Sequence, residues 1–224
     1  MKKMSALVLS FILVCGSVFA QSVVTSKHDL STGGGITNKS TNETQVCIFC
    51  HTPHQKTITA TPLWNKTLSA QATYGTYTSG SLQAVTTDIG GGTSVSNLCM
   101  SCHDGTVAVN SLDNKSSFGT PTMGGVATEL DATGKLAATR EAYMGTNLSN
   151  DHPINFTYDA ALATSDGELK TPSSASFVDA AHKVPLYSAK VQCASCHNPH
   201  NGVNGSFLRL SNSASALCQT CHSK

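Results

Sequence analysis

The chain reads CIFCH at Cys47–His51, CMSCH at Cys99–His103, CASCH at Cys193–His197 and CQTCH at Cys218–His222. Cys-x-x-Cys-His is the pattern of a c-type haem attachment site. On one turn of helix the two thiols of such a motif face the same side, where they can form thioethers to the two vinyl groups of a single porphyrin. The histidine that follows turns its imidazole toward the iron. The sequence therefore predicts four covalently bound haem c groups. Cys47, Cys50, Cys99, Cys102, Cys193, Cys196, Cys218 and Cys221 are the expected attachment residues, and His51, His103, His197 and His222 the expected proximal ligands.

Paired CxxC motifs also signal zinc sites, and exported chains use cysteines for disulfides. Neither chemistry needs a histidine directly after the second thiol. With 9 His in 224 residues, four such placements arise by chance about once in several hundred thousand, which decides for haem.

Working outward, residues 1–20 read as an export signal. Lys2 and Lys3 precede a short apolar run from Ala6 to Val14, and Val18-Phe19-Ala20 has the form of a cleavage site before Gln21. Val14 before Cys15 is not the small residue that a lipid-anchored leader requires. The expected mature chain has 204 residues (224 minus 20) and eight cysteines (9 minus 1), all of them within the four motifs. It is expected to be exported to the cell surface or beyond, with the periplasm as the alternative.

Charge argues against a nucleic-acid partner. Without Lys2 and Lys3, 12 basic residues (14 minus 2) face 13 acidic ones, and no Lys/Arg cluster could follow a phosphate backbone. No further apolar run reaches the ~18 residues of a membrane span. Hydrophobic residues make up 39% of the chain and aromatics 6%, so buried macrocycles are expected to supply apolar area that the side chains lack.

Between the motifs the sequence is rich in Gly, Ser, Thr and Asn, with Gly33-Gly34-Gly35 and Gly90-Gly91-Gly92 as turns. Helix is expected at the attachment sites, over roughly 135–144, and in a final segment capped by Asn212 or Ser213. The predicted fold class is a multihaem c-type cytochrome of mostly irregular coil, with short helices around a haem core and little strand. Trp64 is expected to pack against a haem or its loop.

The motifs fall into a duplication. His28, then CIFCHTPH at Cys47–His54, then LCMSCH at Leu98–His103 is matched by His152, CASCHNPH at Cys193–His200 and LCQTCH at Leu217–His222. Residues 21–224 thus read as one domain of two dihaem repeats, about 21–125 and 126–224. Nine His minus the four proximal ones leaves five, and those matched by the repeat are His28, His54, His152 and His200. These four are the expected sixth ligands; His182 has no counterpart. His54 and His200 follow their motif histidines by three residues, a reach of roughly 10 Å. That is too short to round a porphyrin edge, so each must serve another haem. Irons with both axial positions filled by imidazole exchange electrons and leave no place for substrate. The chain is accordingly expected to be an electron carrier with no catalytic residue.

The exported CxxCHxPH/CxxCH pairs, the HDLS stretch at His28–Ser31, the CHDG at Cys102–Gly105 and the DHPI at Asp151–Ile154 resemble the doubled-CxxCH multihaem cytochromes of metal-reducing bacteria. The resemblance implies a tetrahaem member that polymerises head-to-tail into a conductive extracellular filament. Electrons would pass to metal oxides or to other redox partners. It also implies that one iron per subunit takes its sixth ligand from a neighbour. The expected donor is His54 or His28, acting on the haem of Cys218–Cys221 in the next subunit. The competing readings are a monomeric periplasmic or cell-surface shuttle and, with less support, a multihaem reductase, which would need an iron with an open face.

Overall fold

Ser94 starts the longest helix because its side chain accepts from Asn97 N, an N-terminal donor that the helix itself leaves unpaired. This helix, α1 (Val95–His103), carries the whole second motif. The computed structural model describes residues 23–54, 63–90, 92, 94–124 and 129–223. The expected export signal, Pro62 and Gly91 lie outside them.

Two other helices are shorter. In α2 (Ala160–Asp166) the Asp159 carboxylate accepts from Leu162 N, and Gly167 closes the last turn at φ 76°. α3 (Cys193–Cys196) holds the third motif up to its second cysteine, with Gln192 and Ser195 forming a reciprocal capping box. The first and fourth motifs sit on single 3₁₀ turns, Cys47–Phe49 and Cys218–Thr220. Among the described residues strand content is confined to two-residue pieces: β1 (Gly75–Thr76) runs parallel to β2 (Asn147–Leu148), and β3 (Phe156–Thr157) antiparallel to β4 (Lys190–Val191). Mostly coil with few short helices and little strand, the architecture is that expected from the sequence.

Two expected helices do not form. Over residues 135–144 the chain makes separate turns, because Asp131 captures the N–H groups of Thr133 and Lys135, and Leu130 bridges to Leu136. A carboxylate that satisfies these donors removes the reason to wind a helix. Near the C-terminus, Ala214 takes φ 50°, so Ser213–Ser215 and Cys218–Thr220 remain separate 3₁₀ turns. Asn212 gives no side-chain cap there; its Oδ1 accepts instead from Cys218 Sγ at 3.6 Å.

The apolar interior is divided. One cluster gathers Phe156, Tyr158, Val178, Val184, Leu186, Val191 and Leu217; a second gathers Tyr74, Ile89, Met100 and Leu148. Cys196 and Cys221 pack against the first, so these two attachment cysteines border the core. Between the clusters α1 packs on α3 through polar groups. Ser96 Oγ donates to Gln192 Oε1 and accepts from Cys193 N at 3.0 Å, and Gln192 Nε2 donates to Asn155 Oδ1 at 2.7 Å. All three side chains are buried and mutually satisfied, which fixes the second and third motifs against each other.

Candidate haem centre

None of the eight cysteines of the motifs pairs in a disulfide, and all are exposed or half-buried. Among the described residues no group of three or more His, Cys, Asp or Glu side chains converges as a metal cluster. The thiols of successive motifs act on one another. Burial pushes the Cys50 thiol up to about 12, and Cys102 adds to the rise. A hydrogen bond with Cys193 raises Cys99 well above the usual thiol range, and the same bond lowers Cys193 to about 7. Burial lifts Cys196 to about 11, with Cys221 contributing. The attachment points thus adjoin in chain order, first to second, second to third and third to fourth.

Each motif histidine is held by a segment from elsewhere in the chain. His103 Nδ1 hydrogen-bonds Ala142 O at 2.8 Å, and His103 O accepts from Met144 N at 2.8 Å. His197 Nδ1 hydrogen-bonds Ser206 O at 2.8 Å, while His222 bridges to Leu169 and His51 to Trp64. A carbonyl on Nδ1 fixes the tautomer and leaves Nε2 for a metal. His152 is fixed in the same way by Pro153 O at 2.8 Å, and His28, at a longer 3.4 Å, by Pro199 O.

The remaining histidines fall opposite these rings. His28 lies 6.1 Å from His103, His200 lies 6.1 Å from His51, and His152 lies 6.4 Å from His222, centroid to centroid. An imidazole nitrogen bonds a metal at about 2.0–2.1 Å and sits about 1.1 Å from its ring centre, so trans imidazoles on one ion have centres roughly 6.3 Å apart. Ring planes at 78°, 22° and 76° are all compatible, because each ring turns freely about its own metal–nitrogen axis. His28 is further set by Phe207, stacked at 4.3 Å. Among the described residues His54 and His197 are not paired ring to ring as these three pairs are, and both are exposed. The expectation that the haem of Cys218–Cys221 draws on a neighbouring subunit does not match this arrangement, since His222 already faces His152 and His28 already faces His103.

Other features fit a porphyrin. Trp64 Nε1, buried beside His51, has no hydrogen-bond acceptor among the described residues, and a porphyrin carboxylate is the kind of group that would supply one. The sequence marked Trp64 for packing but gave no sign of that orphaned donor. Asp104 and Gly105 of the CHDG stretch also gain a reason. The buried Asp104 carboxylate accepts from Tyr74 Oη at 2.6 Å and from Thr106 N at 2.7 Å. Gly105, at φ +70°, lies where a Cβ would come within 2.3 Å of the Tyr143 ring. His182, without a repeat counterpart, stacks on Phe177 at 4.5 Å and faces no other imidazole.

The doubled CXXCH motif family matches residues 187–224, which span the third and fourth motifs. That match points to a multihaem c-type cytochrome with covalently bound haem c and a role in electron transfer. No curated protein matches the chain. Among the described residues no helix is long and apolar enough to cross a membrane.

Proposed function

We propose that this chain is a tetrahaem electron carrier that polymerises head-to-tail, so that respiratory electrons pass along an extracellular filament to distant acceptors. Haem c, when bound, would supply one-electron redox chemistry. Cys47 and Cys50, Cys99 and Cys102, Cys193 and Cys196, and Cys218 and Cys221 attach the four groups. His51 with His200, His103 with His28, and His222 with His152 ligate three irons within the chain. His197 ligates the fourth.

The observation that carries the polymer is the crossing of His200 to His51. The two CxxCHxPH segments are built alike: Asn65 N donates to Cys50 O and Arg209 N to Cys196 O, while Thr52 N donates to Leu63 O and Asn198 N to Phe207 O. Leu63 and Phe207 even share the left-handed conformation, at φ 58° and 56°. If like parts make like bonds, His54 should ligate the iron on His197 as His200 ligates that on His51. Within the chain these two rings do not meet, and both face outward. A bond between unlike surfaces that does not close within one molecule propagates a helical polymer. The whole chain also resembles outer-membrane cytochrome E, a filament-forming tetrahaem cytochrome of metal-reducing bacteria, in its haem count, length and ligand stretches.

Electron microscopy of the purified holoprotein, together with an intact mass and a pyridine haemochrome spectrum, tests this. Filaments carrying four haems per chain are expected. A four-haem monomer would leave the shuttle reading, and a stable high-spin iron open to small ligands would favour a reductase.

A further inference from the structure

We infer that the Lys66 ammonium is a fixed positive charge that raises the reduction potential of the haem attached at Cys47 and Cys50. The inference rests on the haem reading above. Lysine ordinarily keeps its head group in water, yet Lys66 is only 1% exposed. Its Nζ donates to the carbonyls of Ala108 at 3.1 Å and Val109 at 3.0 Å. Among the described residues no carboxylate lies within ion-pair distance of it; the ion pair found there joins Arg140 to Glu129. The head group is therefore desolvated and held by backbone dipoles, with no ion-pair partner among the described residues.

Its position ties it to the first attachment site. The segment 63–66 lies along the first motif, with Thr52 N donating to Leu63 O at 3.0 Å, Asn65 N to Cys50 O at 2.8 Å and Asn65 Nδ2 to Ile48 O at 2.7 Å. Lys66 is the next residue, and its side chain crosses to the loop that follows the second motif.

Packing does not require a lysine here. In the second repeat Arg209 N donates to Cys196 O as Asn65 N does to Cys50 O, so Leu210 occupies the place of Lys66, and there it packs against the apolar core. An apolar residue fills the equivalent site, while the first half keeps a costly buried cation. A positive charge favours the reduced, less positive iron. Two unit charges about 12 Å apart at an effective dielectric of about 20 change an equilibrium about tenfold. Burial keeps the effect from being screened by salt.

The test compares Lys66→Met and Lys66→Gln, which remove the charge, with Lys66→Arg, which retains it, by potentiometric titration of the four-haem protein. In the neutral variants one of the four one-electron components should become about tenfold harder to reduce, equivalent to 59 mV, with low-spin spectra kept. Lys66→Arg should titrate like the unmodified protein. Unchanged potentials in neutral variants that hold four haems would overturn the inference, as would an equal drop in Lys66→Arg. Loss of haem from both neutral variants but not from Lys66→Arg would assign the lysine to assembly and overturn it too. A haemochrome count on the unmodified protein reports separately on the haem reading.

Discussion

The His200 ring lies 6.1 Å from the ring of His51 and 22° from parallel to it, although His200 belongs to the motif of His197. The short Asn198-Pro199 link prevents return to the same iron, so the third motif reaches out to the first. On the proposed reading each CxxCHxPH segment would attach one haem and clamp another. His200→Ala is expected to convert the iron on His51, and not the one on His197, to a high-spin or water-ligated form. Electron paramagnetic resonance should then show a high-spin signal from about one haem in four. An all-low-spin spectrum in that variant would remove His200 as a ligand.

His54→Ala is expected to leave three low-spin haems and a monomer, because the lost bond lies between subunits. His182→Ala serves as the control and should leave filaments intact, since His182 stacks on Phe177. The outcomes are read by electron microscopy and by sedimentation. Filaments of normal length from His54→Ala, with every haem low-spin, would refute the proposed contact.

Gln192→Ala is expected to loosen the joint between the second and third motifs. It strips Ser96 and Asn155 of buried partners, and each unsatisfied group costs about 1–3 kcal/mol. The midpoint of guanidinium unfolding, followed in the haem absorbance, should fall accordingly. Magnetic coupling between the haems on these two motifs should weaken, while coupling between the first and second should stay. Gln192→Glu retains acceptance from Ser96 but loses the donor to Asn155, and should lie between the two.

Much of the site was legible because covalent attachment demands a fixed pattern of letters. Cys99, Cys102 and His103 could be placed on one helical turn before any fold was known, and the repeat singled out His28, His54, His152 and His200, of which all but His54 face a motif histidine within the chain. Which imidazole faces which was not legible. His28 reaches His103 through a stack on Phe207 and a carbonyl of Pro199, contacts that join residues more than a hundred positions apart. Nor did local preference reveal the broken helix at 135–144. Side-chain capture by Asp131 settles that stretch, and an apolar period carries no record of it. Lys66 was invisible for a related reason: a lysine in a polar stretch reads as a solvated one.

Gly105→Ala tests the CHDG stretch. The backbone there is left-handed, and a methyl would collide with Tyr143, in the segment whose Ala142 O and Met144 N hold His103. Strain at such a residue costs about 1–3 kcal/mol, and the collision adds to it. Thermal stability of the holoprotein should drop, with the low-spin spectrum of the His103 haem broadened. Gly119→Ala, also at positive φ but with open space around it, should lose only the smaller conformational part.

Preventing haem attachment should prevent folding. The two apolar clusters are small and separate, and Cys196 and Cys221 pack at the edge of the larger, so a porphyrin joined there would extend the buried apolar surface. Burial in the folded chain also holds the Cys50 and Cys196 thiols in their protonated, less reactive form. Attachment is therefore expected to precede compaction. A chain made without haem maturation should show far-ultraviolet dichroism of an unfolded polymer and rapid proteolysis at all positions. The haem-loaded chain should resist the same protease. Replacing only Cys218 and Cys221 with Ala should give an intermediate result, in which residues 160–223 become sensitive while α1 stays protected, because Leu217, the one C-terminal member of the larger cluster, would lose its anchor. A haem-free chain that unfolds in a sharp cooperative transition would show that the side chains suffice without the macrocycles.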